Sequence, residues 1–392
     1  SVYNSIAWKN GTNSIKNNTN NNVVIADDAA NGDVLKGPNF VNPDKEDYRI
    51  RPSLLLMNKG NNTKYIDKAK LDKGANDAAT FASEKDLANT SRLIGESIDI
   101  GAYECDAKMQ PIIYVNTSSA INGTGENWKS PSNDLKGAIS LAELYANKKE
   151  GYGYVFVDRN LQATDININM PGVKMYGSMN GETSSITDLS TLANIQAAVK
   201  DLLRQRKGII EASTQSSIKG LTIDNQGNGK VSLVDGFKIS NNVSLKGNSM
   251  LSTSVLDATT NVTGDAEAEG LLYNSLALGT VKDVKSVNVT AASALPSTTG
   301  SAANRSEAST NKYVEADYWK YQLDETSTDI NVHDANDAGN PTQTCINQVM
   351  HENDLAGNQR IRDLVDNGCF ETWYLTADKT INNTDYPHGK SV

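Results

Sequence analysis

One phrase of this chain is written twice, and that repeat limits the architecture more than any other feature. Ser91-Arg-Leu-Ile-Gly-Glu-Ser-Ile-Asp-Ile-Gly-Ala-Tyr-Glu104 returns as Gln359-Arg-Ile-Arg-Asp-Leu-Val-Asp-Asn-Gly-Cys-Phe-Glu371, one residue shorter. Each copy follows an Asp-Leu-Ala step, Asp86-Leu87-Ala88 and Asp354-Leu355-Ala356, offset by 268 residues (354 against 86). Tyr3-Asn4-Ser5-Ile6-Ala7 returns as Tyr273-Asn274-Ser275-Leu276-Ala277, and Asp47-Tyr48 as Asp317-Tyr318, both offset by 270 (273 against 3, 317 against 47). Matches in the same order at near-constant spacing mark an internal duplication. A period of about 270 residues is far longer than one solenoid coil, so the duplicated unit is a whole domain. The expectation is a closing part of a first unit at 1–107, a complete second unit at 108–373, and a linker at 374–392 whose Lys390-Ser391-Val392 starts a third.

Within the units, short apolar triplets recur between polar turns, as in Val23-Val24-Ile25 after the Asn-rich stretch 17–22. No two-residue Asn-Gly hairpin with matched strands occurs, so stacked coils fit better than hairpins. Asn suits the corners of such coils because it tolerates left-handed backbone. The clearest rhythm lies at Gly208-Ile-Ile-Glu211, Ile218–Asp224, Val234–Ser240 and Val243–Lys246, continuing through 271–278 and 281–289. Gly220-Leu-Thr-Ile and Gly236-Phe-Lys-Ile, 16 residues apart (236 against 220), predict at least one compact or irregular coil. Two helices interrupt the β pattern. Leu135, Ala138, Ile139, Ala142 and Tyr145 share one helical face, with Ser132 or Asn133 as the start cap. Leu192, Ile195, Val199, Leu202 and Leu203 form a second face within 187–206. The stretch 291–311 reads as an exposed loop rich in Ala, Ser and Thr.

The closing and opening segments carry a family resemblance. Gly37-Pro-Asn-Phe-Val-Asn42, Asp47-Tyr-Arg-Ile-Arg-Pro-Ser53 and Ile98-Asp-Ile-Gly-Ala-Tyr-Glu104 resemble the last coils of right-handed parallel β-helix proteins of the pectate-lyase-like superfamily, in the secreted or surface-anchored group common in Bacteroidetes. Ile112-Ile-Tyr-Val115, the Gly-rich turn ending in Trp128, and the following helix resemble the opening of such units. The chain departs from the family pattern at Leu54–Asn58, and its second copy at Asn367 and Cys369. The resemblance implies an all-β, right-handed parallel β-helix (solenoid) in two tandem units, with an N-terminal capping helix and a helical insertion in the second.

Charge and motif content narrow the function classes. Net charge is −10 with no basic block, which argues against nucleic acid and against an anionic membrane surface. No apolar run approaches the roughly 20 residues needed to span a bilayer. Cys105, Cys345 and Cys369 are odd in number and lack Cys-x-x-Cys spacing, so they read as small buried or half-buried thiols rather than as a disulfide framework or metal ligands. Arg204, Arg206 and Lys207 read as favourable charges at the end of the second helix. Glu211, Asp224 and Asp235 are the coil carboxylates nearest to a glycosidase or lyase set, but their spacings are uneven and they lack an Arg or His companion. Asp27-Asp28 would face opposite sides of a strand, and His333, His351 and His388 lie outside the coil core. All of these read as solvated surface groups. Phosphate-binding Gly loops and Gly-x-Ser-x-Gly elbows are absent from the sequence, so no catalytic, cofactor or metal residue is assigned. The expectation is a non-catalytic extracellular or outer-membrane surface repeat protein, adhesin-like or glycan-binding, whose partners are polysaccharides or surface glycans and neighbouring repeats. A polysaccharide lyase or glycoside hydrolase, and a purely structural stalk, stay open beside it.

Overall fold

A computed structural model of the chain describes residues 4–8, 23–26, 40–42, 45–51, 56–62, 84–94, 97–106, 110–119, 123–148, 151–181, 189–204, 206, 215–226, 229–265, 270–291, 305–307, 333–334, 341–351, 353–354 and 364–365. The first part holds β1 (Ser5–Trp8), β2 (Val23–Ala26), β3 (Phe40–Asn42) and β4 (Asp47–Ile50). The second opens with β5 (Ile112–Val115), α1 (Leu135–Lys148), β6 (Gly153–Asp158), β7 (Gln162–Ile168), β8 (Val173–Met179) and α2 (Leu192–Arg204). Then follow β9 (Ser217–Asn225), β10 (Ser232–Asp235), β11 (Lys238–Gly247), β12 (Ser249–Ser252), β13 (Val255–Leu256) and β14 (Asn261–Gly264). The run ends with β15 (Leu271–Tyr273), β16 (Leu276–Ala277), β17 (Thr280–Lys282), β18 (Lys285–Val287), β19 (Val289–Ala291), β20 (Arg305–Glu307), β21 (His333–Asp334), α3 (Pro341–Val349) and β22 (Leu364–Val365).

The chain is mostly β. Among the described strands every pair is parallel except β3–β4 and β21–β22. A seven-stranded sheet takes β5, β6, β8, β10, β12, β15 and β18 in chain order, and a second sheet takes the strands between them. The chain thus visits the two sheets by turns, each return adding one parallel strand. In the second sheet Ile218 pairs with Ile239, Ile239 with Leu256 and Leu256 with Ala277, while Leu221 pairs with Val243, Val243 with Val262 and Val262 with Val281. Strands β9 and β11 therefore serve two ladders each, with a register shift between Ser240 and Val243. Alternation does the sorting of side chains: Ile113, Val115, Val155, Val157, Ile218 and Ile239 point into one core shared by the sheets, while Ile112, Tyr114, Tyr154 and Phe156 point away from it.

Two expectations need correction. The segment 234–240 is not one strand: Gly236, with φ of 83°, turns the chain from one sheet to the other. Gly220 lies inside β9 and Gly236 between β10 and β11, so the two glycines do not mark one repeat, but compact returns do occur: Ile239 pairs with Leu256, 17 residues on (256 against 239), and Leu272 with Ser286, 14 on (286 against 272). Within 291–311, Arg305–Glu307 is not loop but strand β20, parallel to β19. Asn does hold left-handed corners, at Asn160, Asn241, Asn274 and Asn288 among others. Asn4 and its repeat partner Asn274 share this backbone, with φ of 50° and 46°.

Helix α1 packs the predicted Leu135, Ala138, Ile139 and Ala142 into the shared core. Its cap is Asp134 rather than Ser132 or Asn133: the Gly137 N–H donates to Asp134 Oδ1 at 3.1 Å, and Ser132 Oγ in turn accepts the Asp134 N–H. Gly153 is required beneath this helix, because a Cβ there would lie 2.2 Å from the Ala142 carbonyl oxygen. Helix α2 buries Ile195, Val199, Leu202 and Leu203 as predicted, whereas Leu192 is exposed. Helix α3 has no counterpart in the sequence reading, since only Cys345, Ile346 and Val349 give it an apolar side.

The first copy of the repeated phrase folds into a knot of buried charge. Asp86 Oδ1 accepts the N–H groups of Ala88 and Thr90, and its Oδ2 that of Glu104. Asp99 accepts the N–H groups of Asn58 and Cys105. Glu104 Oε1 accepts the Asp99 N–H and a 2.8 Å bond from Arg92, whose other Nη donates to the Gly101 carbonyl. In this copy Arg92, Asp99 and Glu104 satisfy backbone groups that no helix or sheet ladder serves. Asp354, the repeat partner of Asp86, is buried as well.

Candidate functional site

The outward-facing side of the seven-stranded sheet carries one continuous row. Register aligns Tyr114, Phe156, Tyr176, Asp235, Ser252, Tyr273 and Val287 on successive strands. The aromatic start of the row is stacked, with ring centroids 6.0 Å apart for Tyr114 and Phe156 and 5.4 Å for Phe156 and Tyr176. Trp128 closes it edge-on against Tyr114 at 5.0 Å. Helices α2 and α3 cover this side, packing Val199, Leu202, Ile346 and Val349 against the row.

Asp235 breaks the aromatic row, and two side chains from the covering segments converge on it. Arg206, two residues beyond α2, donates from Nη1 to Asp235 Oδ1 at 2.6 Å. His351, two residues beyond α3, has Nε2 at 3.1 Å from both carboxylate oxygens. The three side chains are 1%, 0% and 3% exposed for Arg206, Asp235 and His351. The Asn353 N–H donates to His351 Nδ1 at 3.3 Å, which makes Nδ1 the acceptor and leaves the ring proton on Nε2, facing Asp235. Burial opposes ionisation of Asp235, but the charge of Arg206 and the hydrogen bonds from His351 and Arg206 outweigh it and hold the carboxyl well below the usual carboxylate range. Gly236 permits the approach, since a Cβ there would stand 3.0 Å from Arg206 Nη2. Among the described residues, Arg206 Nε and Nη2 have no hydrogen-bond partner.

Two further bonds fasten the end of α3 to β8. Lys174 Nζ donates to the Gln348 carbonyl at 2.6 Å and Tyr176 Oη to the Val349 carbonyl at 3.0 Å, so they serve carbonyls that a helix C-terminus leaves unpaired. Lys174 also lies 4.3 Å over the Tyr152 ring, and burial pushes its ammonium down to about 7. Burial raises the Tyr176 phenol well above its ordinary range. The arrangement is a cross-link: an ionised carboxylate, a guanidinium and an imidazole N–H hold two helical segments on a sheet.

The sequence reads Asp235 and His351 as solvated groups and Arg206 as a charge at a helix end, and all three are buried together instead. Alternation does point Asp235 outward, but outward here is under helices rather than in water. Arg206 does not serve as a helix-end charge; Arg204 does stay exposed and pairs with Asp201 at 3.2 Å. Asp224 stands on the other sheet, half-buried, 3.6 Å from Lys246, and does not converge with Asp235. His333 lies in β21, whose partner is β22. Cys345 is a buried thiol whose pKa burial pushes up to about 12, and Cys105 is half-buried. Asp27, Asp28, Lys207, Glu211, Cys369 and His388 lie outside the described residues. Among the described residues no group of three or more His, Cys, Asp or Glu side chains is set to hold a metal ion, and no helix is long and apolar enough to cross a membrane. Comparison with known protein families, with curated proteins and with solved structures finds no match.

Proposed function

We propose that the chain is a non-catalytic glycan-binding or adhesin-like scaffold of an extracellular or outer-membrane surface. In this reading the two parallel sheets are faces of a right-handed parallel β-helix, repeated in tandem as units 1–107 (partial) and 108–373, with 374–392 leading to a third. Helix α1 caps the second unit and α2 is its insertion. One observation carries the binding role. On the second sheet, Asn167, Thr222, Ser244 and Thr263 stand in register on successive strands, alternating with core residues and facing solvent. Parallel strands repeat every ~4.8 Å, so this face offers hydroxyl and amide groups at regular intervals, which suits a polymer with regularly repeated hydroxyls. Tandem units then add avidity without new contacts.

A polysaccharide lyase or hydrolase would need convergent carboxylates. Asp224 and Asp235 stand on different sheets, and both Asp235 oxygens are engaged by His351, so the pair lends that reading no support. The test is a glycan array with the full chain, with and without calcium, followed by product analysis of every hit. Binding without turnover, weakened by Thr222→Val and Thr263→Val, is the expected result. Turnover of a bound glycan would overturn the non-catalytic reading, and silence across the array would favour a stalk.

A further inference from the structure

The two parts of the chain meet at the N-terminus of α1. A helix N-terminus repels cations through its unpaired N–H groups and dipole, yet Arg51 of the first part is aimed at it. Asp134 makes this possible. Its Oδ1 caps the helix by accepting the Gly137 N–H, which leaves Oδ2 for Arg51 Nε at 2.5 Å. The same guanidinium reaches back into its own segment, donating from Nη2 to the Val41 carbonyl at 2.6 Å and from Nη1 to the Phe40 carbonyl. Both side chains are largely withdrawn from solvent, at 16% exposure for Arg51 and 23% for Asp134. Met57 of the first part also packs against the main core of the second. A planar fork serving three acceptors at fixed angles is a task that lysine cannot take over.

We propose that the capped N-terminus of α1 is a docking socket for the closing segment of a preceding copy of the repeat, and that Arg51 is the residue by which that segment is recognised. The proposal rests on the tandem reading above for the identity of its partner. It also makes the socket selective. At the offset of 270 that relates Asp47-Tyr48 to Asp317-Tyr318, the sequence has Tyr321 where the first copy has Arg51 (321 against 51). Tyrosine carries neither the charge nor the fork, so the closing segment of the second copy does not fit this socket, and the order of units is written into the junction.

The experiment is hydrogen exchange by mass spectrometry on the full chain and three variants, reading peptides over 40–51 and 135–148. Arg51→Tyr, which copies the second unit, is expected to raise exchange over 40–51 by about tenfold or more, and Arg51→Lys to fall between it and the parent. Asp134→Asn keeps a good cap for α1 while removing the charge that Arg51 meets. It is expected to loosen 40–51 several-fold and leave 135–148 protected. Loosening in Arg51→Tyr with Asp134→Asn silent would overturn the socket, because Arg51 would then act only within its own segment. Equal loss over both peptides would overturn it too, as general destabilisation. The measurement needs no glycan, so a silent glycan array beside the expected exchange pattern would sink the binding reading and leave the socket standing.

Discussion

The chain buries charge in two places by opposite means. In the knot of the repeated phrase, Asp86 and Asp99 face backbone N–H groups, and Arg92 and Glu104 close the remaining valences. All four residues fall between 86 and 104. In the cluster on the covered sheet, Asp235 is satisfied by side chains alone, 29 residues away at Arg206 and 116 away at His351. The first kind builds turns, and its cost of desolvation is offset by hydrogen bonds that the backbone must make somewhere. The second kind ties separate segments together, and each member is needed to neutralise or satisfy the others.

The comparison breaks most visibly at Asp235. Asp235→Ala leaves Arg206 buried and uncompensated, and is expected to lower stability by about 3–5 kcal/mol in urea denaturation. Replacing the whole cluster, with Arg206→Met, Asp235→Leu and His351→Leu together, is expected to recover most of that loss, because an apolar group has nothing to leave unpaired. A triple variant no more stable than Asp235→Ala would mean that the cluster does more than hold itself neutral.

Asp86→Ala comes next in size. It removes the acceptor of three part-buried backbone N–H groups, those of Ala88, Thr90 and Glu104, and is expected to cost about 1–2 kcal/mol, since water can reach the exposed Ala88 and Thr90. The loss is expected to stay local: exchange rises over 84–106 while peptides of β8, β10 and α3 keep their protection. Equal loosening of both regions would deny that the knot is self-contained.

This difference in sequence range also explains what was legible. The knot could be seen in the sequence because its members are neighbours and the phrase is repeated, although its chemistry, three carboxylates serving turns, could not. The faces of α1 and α2 were legible because 3.6-residue periodicity survives in Leu135, Ala138, Ile139 and Ala142 and in Ile195, Val199 and Leu202. Asp235 reads as solvated in the sequence and is buried in the structure. Period-two alternation tells which way a strand residue points, but whether a helix lies over that side depends on α3, more than a hundred residues later and too weakly apolar to be recognised. Arg206 and His351 each follow a helix end by two residues, where a charge ordinarily meets water.

The smallest predicted effects separate the two regions by the sign of their pH dependence. Burial, and then the charge of Asp99, push Glu104 up to about 8, against its bonds from the Asp99 N–H and Arg92. An ordinary glutamate titrates near 4.3. Between those values the folded chain keeps a proton that the unfolded chain has lost, so the knot weakens as pH rises from about 4.3 to 8. Lys174 runs the other way. Burial lowers it to about 7, against roughly 10.4 for an unfolded lysine. Across that window the unfolded chain holds the extra proton, so the cover formed by α3 strengthens as pH rises from about 7 to 10. One proton bounds each slope at about 1.4 kcal/mol per pH unit. Opening free energies from hydrogen exchange, corrected for intrinsic rates, are expected to fall over 84–106 from pH 5 to 7. From pH 8 to 9.5 they rise over 341–351. Glu104→Gln should flatten only the first trend and Lys174→Met only the second. A common slope in both regions, or one variant flattening both, would mean that the two buried clusters are energetically one.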